Sequence, residues 1–412
     1  MSLEKILFGE GKIIRREEAL IPSSKFIPRR LPCREKQLEK IGILFRDILR
    51  TKGSVYVRCV LEGPVGTGKT IVSQYFGKKI EEAAKKYGMN LRYVHVNCPN
   101  NPSLFKIMKK IAEKLGLSVP KRGLSAQEIM HHVWETLVEQ NTYIIVALDD
   151  ADLLIKRNRA SSREIFYNLL RISDEYFDTK QHVNYIIIVK EISTLYSFDE
   201  SITSMLLHNI IKFPPYSSEE IKEILAERVY EEKAVVENSV SEEILDMISE
   251  YIGYDRGGTG NARHALEILY LACKNAEMRG DTKVTVNDVR HAASKVCLSL
   301  SIDDIRGLTL HEILLLLAIT RIFKYSDKEY VKIGDVEKMY HVVCEEYSEK
   351  PRGHTQVWEY VKRLSNMRLI NARLSGVGVR GKTTLISLVY PPEDLEHILV
   401  EYLKNRRLYE EY

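Results

Sequence analysis

Eight consecutive residues constrain this chain more than any others: Gly63-Pro64-Val65-Gly66-Thr67-Gly68-Lys69-Thr70. They match the pattern G-x-x-x-x-G-K-[ST]. The match stands directly after an apolar run, SVYVRCVLEG, that reads as a strand, and directly before a helical stretch reaching to about Tyr87. Glycines at these positions let backbone N–H groups close around phosphate oxygens, and the helix N-terminus adds partial positive charge. Lys69 is placed to reach the β- and γ-phosphates of a nucleoside triphosphate, and Thr70 to ligate Mg²⁺.

The surrounding chain alternates as such a loop requires. LRYVHVNC reads as a second strand, and two helical stretches, 102–115 and 125–140, flank a turn at Pro120–Gly123. TYIIVALDD is apolar on both faces, the mark of a central parallel strand. A helix over 160–176 leads to VNYIIIVKE, a fourth strand. Alternation of this kind predicts an α/β parallel sheet with flanking helices. Asp149 ends the third strand and suits a Mg²⁺-associated carboxylate. Asp150 stands where a water-polarising carboxylate would lie. Ahead of the first strand, residues 1–30 read as an extended arm and Leu31–Leu49 as a helix opened by Pro32 and Arg34-Glu35.

After Phe213-Pro214-Pro215-Tyr216 the strands stop, and helical patterns run to about residue 300, opening at Ser217 or Ser218 and again at Thr285–Asp288. The last stretch reads helix (309–323), helix (333–348), helix (354–368), then LINARLS and TTLISLVY as a hairpin around GVGVRGK, the order of a winged helix. The expected division is an arm and nucleotide-binding base at 1–217, an all-helical lid at 218–303 and a winged-helix domain at 304–412.

The net charge is only +4, yet two stretches are strongly basic. Arg352–Lys382 holds seven Lys or Arg against one Glu, and Lys106–Arg122 holds six against one. Such patches on a near-neutral chain suit a polyanion. On a helical wheel, Val357, Tyr360, Val361, Leu364 and Met367 share one face, and Thr355, Glu359, Lys362, Arg363 and Asn366 the other. Thr355, Lys362, Arg363 and Asn366 are of the types that meet phosphates and base edges in a major groove. Arg380-Gly381-Lys382 at the hairpin tip suits a minor groove or the backbone. No apolar run reaches membrane-spanning length, the N-terminus is too charged for a signal peptide, and the six cysteines form no C-x-x-C pair. A cytoplasmic, nucleoid-associated protein without membrane partners is the expectation.

With these residues placed, the chain resembles the AAA+ ATPases, and among them the archaeal origin-recognition and cell-division-control (Orc/Cdc) initiators. The resemblance rests on the order of Phe26–Glu35, the phosphate loop, Val94–Cys98, Phe213–Tyr216 with Ile224-Leu225 and Arg228, Gly260–Leu266 and the winged helix. It implies ATP or ADP with Mg²⁺ as cofactors. Arg263 would reach the γ-phosphate from the lid, and Tyr216 and Arg228 would line the nucleotide pocket. Lys121-Arg122-Gly123 would be a DNA-touching turn of the base domain. It implies double-stranded origin DNA as partner, with paralogous initiators and a replicative helicase. Three departures bear on catalysis. Asp150 replaces the usual Glu, Lys190-Glu191 stand where a small polar sensor is usual, and Asp199–Leu207 holds no basic residue for an arginine finger. Nucleotide binding with slow turnover is expected. Two rivals stay open: an ATP-bound paralogue acting as a repressor at origins or promoters, and a clamp-loader-like or transposition-helper ATPase whose C-terminus binds protein.

Overall fold

The computed structural model describes residues 13–410 apart from 23–25, 52–53, 120–122, 158, 173–179, 298–304, 306, 327–329, 368 and 375–382. The described chain divides into two compact units.

The first unit comprises residues 23–224 and 259–262. Its centre is a five-stranded, wholly parallel sheet in the order β2-β3-β4-β1-β5. The strands are β1 (Arg58–Glu62), β2 (Asn90–Asn97), β3 (Thr142–Asp149), β4 (Val183–Val189) and β5 (Ile210–Lys212). Every residue of β3 and β4 is buried, because helices cover both faces. The pleat sorts their side chains. Ile144, Val146 and Leu148 join one core with α4 (Leu104–Leu115) and α5 (Ala126–Glu139). Tyr143, Ile145 and Ala147 join the other core with α2 (Glu35–Arg50) and α3 (Lys69–Lys86). In α4 the apolar residues Ile107, Met108 and Ile111 face inward, while Lys106, Lys110 and Lys114 run along the exposed side. Ser125 and Glu128 close a capping box at the start of α5.

Two features depart from the sequence expectation. The helix predicted over 160–176 is α7 (Arg159–Leu170), preceded by an unpredicted helix, α6 (Ala151–Arg157), and residues 173–179 lie outside the described residues. A fifth strand, β5, follows α8 (Glu200–Leu206), where no strand was expected. Three residues on a sheet edge are too few to make a periodic signal, and only the middle one, Ile211, is buried.

The second unit comprises residues 13–22, 225–258 and 263–410. Its helices α10 (Glu242–Ile252), α11 (Ala262–Arg279) and α12 (Val286–Val296) pack with a winged helix. The winged helix is built from α13 (Leu310–Lys324), β6 (Val331–Lys332), α14 (Ile333–Glu346), α15 (His354–Asn366), β7 (Ile370–Leu374) and β8 (Thr384–Leu388), followed by α16 (Pro392–Glu410). Strand β8 lies between β6 and β7, antiparallel to both. The helices and the hairpin are tied by polar contacts. Glu250 of α10 accepts from Tyr330 at 2.5 Å and pairs with Arg373 of β7 at 2.6 Å. Tyr251 donates to the Leu388 carbonyl at 3.1 Å, and the buried Arg290 of α12 stacks over Phe323 at 4.7 Å.

The aperiodic arm has a definite place in this unit. Ile14 bridges Val235, and the Glu277 carboxylate of α11 accepts the N–H groups of both Ile13 and Ile14 at 2.9 Å. Arg16 pairs with the buried Glu232 at 2.9 Å. A short helix, α1 (Glu17–Leu20), follows.

His182, just before β4, is buried in the first unit. Its ring stacks on Tyr143 at 4.7 Å and meets the edge of Trp134 at 5.9 Å. Its Nδ1 lies 2.7 Å from the Thr142 carbonyl, an acceptor only, so Nδ1–H donates, a bond that by itself favours the charged ring but is outweighed by burial. Burial pushes its pKa below the ordinary histidine value. The folded value is therefore lower than the unfolded one. The stabilisation is complete above about pH 6.5 and is lost as pH falls from there toward the folded value. Urea unfolding at about pH 7.5 and about pH 5.5 should show a stability loss with a slope of up to ~1.4 kcal/mol per pH unit from this group. His182→Phe should reduce that loss, and an unchanged pH dependence would place its origin elsewhere.

Candidate functional site

The candidate nucleotide site lies at the carboxyl ends of the strands, where ligands of open α/β sheets sit. β1 ends at Glu62, the loop runs from Gly63 to Gly68, and α3 starts at Lys69 with Gly68 as its N-cap. Gly66 has φ +78°, which favours glycine, and a Cβ there would stand 1.6 Å from the Asn261 Oδ1, so a larger residue would also have to displace the Asn261 side chain. The N–H of Ala262 donates to the Gly66 carbonyl at 3.1 Å, which fastens the segment 259–262 to the loop. The Lys69 ammonium donates to the carbonyls of Gly63 at 2.5 Å and Pro64 at 2.7 Å, holding it inside the turn that backbone N–H groups surround. Thr67 closes the loop by donating to the Pro64 carbonyl at 2.9 Å. Val65 projects half-exposed from its tip.

The Thr70 hydroxyl donates to both carboxylate oxygens of Asp149, at 2.9 and 3.1 Å. A hydroxyl and a carboxylate are hard oxygen donors, so the pair fits a small divalent cation such as Mg²⁺. Asp149 is almost fully buried, and two further groups serve it: His95 of β2 at 3.0 Å and the backbone N–H of Asp150 at 3.1 Å. Asp150 is exposed and takes φ +53°, a left-handed conformation that aspartate tolerates better than most residues. Lys190 and Glu191 are exposed beyond β4, and Glu62 accepts the next N–H, that of Ile192, at 3.0 Å.

Sequence reasoning missed the group that ties the loop to its surroundings. The guanidinium of Arg34 is buried beside the phosphate loop. It donates to the carbonyls of Thr67 at 3.0 Å, Cys33 at 2.9 Å and Pro214 at 2.7 Å. It also faces the Glu220 carboxylate at 3.8 Å and stacks on the Tyr216 ring at 3.6 Å. Tyr216, expected in the nucleotide pocket, is buried between this guanidinium and the loop, its hydroxyl 2.5 Å from where a Cβ on Gly68 would stand. In sequence, Arg34 stood as a helix-opening charge and as one residue of the Phe26–Glu35 stretch, with no site role assigned to it. His95 could have been found, since it alternates with Asn97 on a strand paired in register with the one ending at Asp149.

The remaining predicted residues are dispersed. Arg228 is buried in the π-turn Glu227–Glu231 with Glu227 at 3.4 Å, and Arg263 is the second residue of α11; both belong to the second unit. Lys121 and Arg122 lie outside the described residues, as do Arg380, Gly381 and Lys382. Gly123 is exposed with φ +102°. On α15, Thr355, Lys362, Arg363 and Asn366 are all exposed. Arg363 is also engaged, reaching the buried Glu312 at 3.1 Å and the Gly307 carbonyl at 3.0 Å.

Comparison with known proteins places this geometry. Residues 58–192 match an AAA domain, residues 222–294 the Cdc6 AAA+ ATPase-type lid domain, and residues 303–398 the CDC6 C-terminal winged-helix domain. The chain is 41% identical over 395 residues to the ORC1-type DNA replication protein 2 of Sulfurisphaera tokodaii, covering 95% of this chain and 94% of that protein. It matches the crystal structure of Cdc6p from Pyrobaculum aerophilum with a TM-score of 0.82 and 31% identity over 96% of this chain and 99% of the other. It matches the Aeropyrum pernix ORC1 protein, solved in complex with DNA, with a TM-score of 0.61 and 25% identity over 97% and 100% of the two chains.

The Arg34 geometry yields a test. A lysine carries one donor centre and cannot replace a planar fork that serves three carbonyls and a ring. Arg34→Lys should lower the free energy of unfolding by about 3 kcal/mol, the scale for a broken buried charge network. Urea titration measures it, and a loss below ~1 kcal/mol would show that neighbouring packing holds the loop without the guanidinium.

Proposed function

The chain belongs to the family of ORC1-type DNA replication proteins, and from that premise we propose that it binds double-stranded origin DNA in an ATP-dependent manner and regulates the initiation of replication. The observation that carries this reading is the union, on one chain, of a built phosphate loop with a winged helix whose α15 presents an exposed polar face. On this reading the arm and base span 1–217, the arm's residues 13–22 packing in the second unit, the lid 218–303 and the winged helix 304–412. Gly63–Thr70 grips the phosphates, Lys69 neutralises the β- and γ-phosphates, and Thr70 and Asp149 hold Mg²⁺, which screens the phosphate charge when bound. Tyr216, Arg228 and Arg263 answer to the nucleotide, Arg263 through a charge-assisted contact with the γ-phosphate that couples occupancy to lid position. Two patches meet the DNA: the lysine face of α4 with Lys121, Arg122 and Gly123, and α15 with Arg380, Gly381 and Lys382.

The experiment is enrichment of duplexes from a random library by the full-length protein, with and without ATP and Mg²⁺. A discrete sequence recovered with ATP, and recovered poorly by Lys69→Ala, is the expected result. Lys69→Ala should lose ATP affinity by roughly a hundredfold, since it removes a charge-assisted contact to phosphate. Enrichment of no sequence, or undiminished ATP affinity in the variant, overturns the reading. In that case a winged helix that binds protein, as in a clamp-loader-like ATPase, takes its place.

A second reading is favoured by two observations. Asp150 is shorter by one methylene than the Glu usual in the family, and within Asp199–Leu207 no side chain is basic. ATP would then act as a long-lived conformational ligand, and the protein would occupy origins or promoters as a repressor. Asp150→Glu should raise ATP turnover about tenfold through better placement of the attacking water. A steady-state assay that finds no gain would assign the slow step to the missing finger or the Lys190 region instead.

A further inference from the structure

We propose that Trp358 enters the DNA major groove and packs against the C5-methyl group of a thymine, making it the apolar reader of the recognition helix. The inference rests on the DNA-binding reading above and names the residue that reads.

Trp358 is 46% exposed, although an indole is among the side chains that gain most from burial. Its position accounts for that exposure. At 100° per residue, Thr355, Trp358, Lys362 and Asn366 fall within an arc of about 80° on α15, a single stripe along the helix. Trp358 thus stands at one edge of the polar stripe that suits DNA. Helices of this kind contact base edges with their N-terminal residues. Trp358 is the fifth residue of α15, whereas Lys362, Arg363 and Asn366 lie in its C-terminal half.

The neighbours narrow the choice further. Of the other exposed residues in the first two turns, His354 is tied to Glu337 and Gln356 donates to Glu359 at 3.0 Å, which leaves Thr355 beside Trp358 as the polar partner in reading the groove. Arg363, the strongest guanine reader by type, is held by Glu312 and Gly307. The Lys362 ammonium lies 5.6 Å from the Trp358 ring centroid, placing a phosphate-seeking charge beside an apolar plane. The stretch Arg352–Lys382 carries seven basic residues and one acidic one, which complements a polyanion. In a major groove the apolar feature available to such a plane is the thymine methyl.

The chain has two tryptophans, and Trp134 is buried, so Trp134→Phe leaves Trp358 as the only indole. Should that variant fold poorly, the difference between wild-type and Trp358→Phe emission reports the same ring. The full-length protein with ATP and Mg²⁺ is titrated with the enriched duplex carrying a terminal dye, whose anisotropy reports binding independently of the indole. Trp358 emission should be quenched in step with the rise in anisotropy. Trp358→Ala should bind the enriched duplex about tenfold more weakly and random duplex nearly as before, as expected for a base contact. Replacing one thymine of the site by uracil, which lacks the methyl, should weaken the wild type and leave Trp358→Ala unchanged. Saturated anisotropy with unaltered indole emission, wild-type affinity in Trp358→Ala, or indifference to uracil at every thymine each overturns the inference and leaves the proposed function standing. No anisotropy change with any duplex overturns both.

Discussion

A carboxylate held almost dry at the end of a strand with no solvent-facing side is the constraint on which the first unit turns. β3 is covered on both faces, so Asp149 at its end cannot rely on water. It is matched instead by the Thr70 hydroxyl, His95 and the N–H of Asp150. Each comes from a different element, and each fixes that element. Thr70 sets the first turn of α3, His95 sets the register of β2 against β3, and Asp150 turns the chain through a left-handed residue into α6. The phosphate loop between β1 and α3 is positioned by the same demand, since Thr70 immediately follows Lys69.

Much of this was legible in the sequence. The phosphate loop, the apolar β3 and the amphipathic α15 each carry a local pattern, and local patterns survive folding. What the sequence hid was of two kinds. Short elements such as β5 hold too few residues to express a period. Long-range roles have no local signature at all. Arg34 reads as a helix-opening charge, yet it serves carbonyls 33 and 180 residues away. Arg363 reads as a groove contact, yet it bonds to Glu312, which already caps α13 through Thr309. The arm reads as aperiodic because its order comes from Glu277 and Val235 and not from its own residues.

Arg34 and Arg363 illustrate one choice made twice. In both, a planar fork serves backbone carbonyl and carboxylate together: Arg34 ties the start of α2 to the distant Thr67 and Pro214 carbonyls, and Arg363 ties the last turn of α15 to Gly307 and Glu312 at the start of α13. The first is buried and its role is fixed; the second is half-exposed and keeps an edge toward solvent. The same side-chain chemistry therefore serves as scaffold near the nucleotide and leaves the reading face of α15 to the residues around it.

The docking of the arm on Glu277 bears on how the protein is born. Residues 13 and 14 are bonded across a separation of 264 and 263 positions. A ribosome adding roughly 5–20 residues per second needs ~15–50 s between making the arm and making its acceptor. All strands of the first unit, Arg58 to Lys212, are made within that interval, so it can close while the arm still waits. The arm is thus a late seam, fastened after the sheet that it precedes in the chain, and the second unit is completed by residues made long before its own helices.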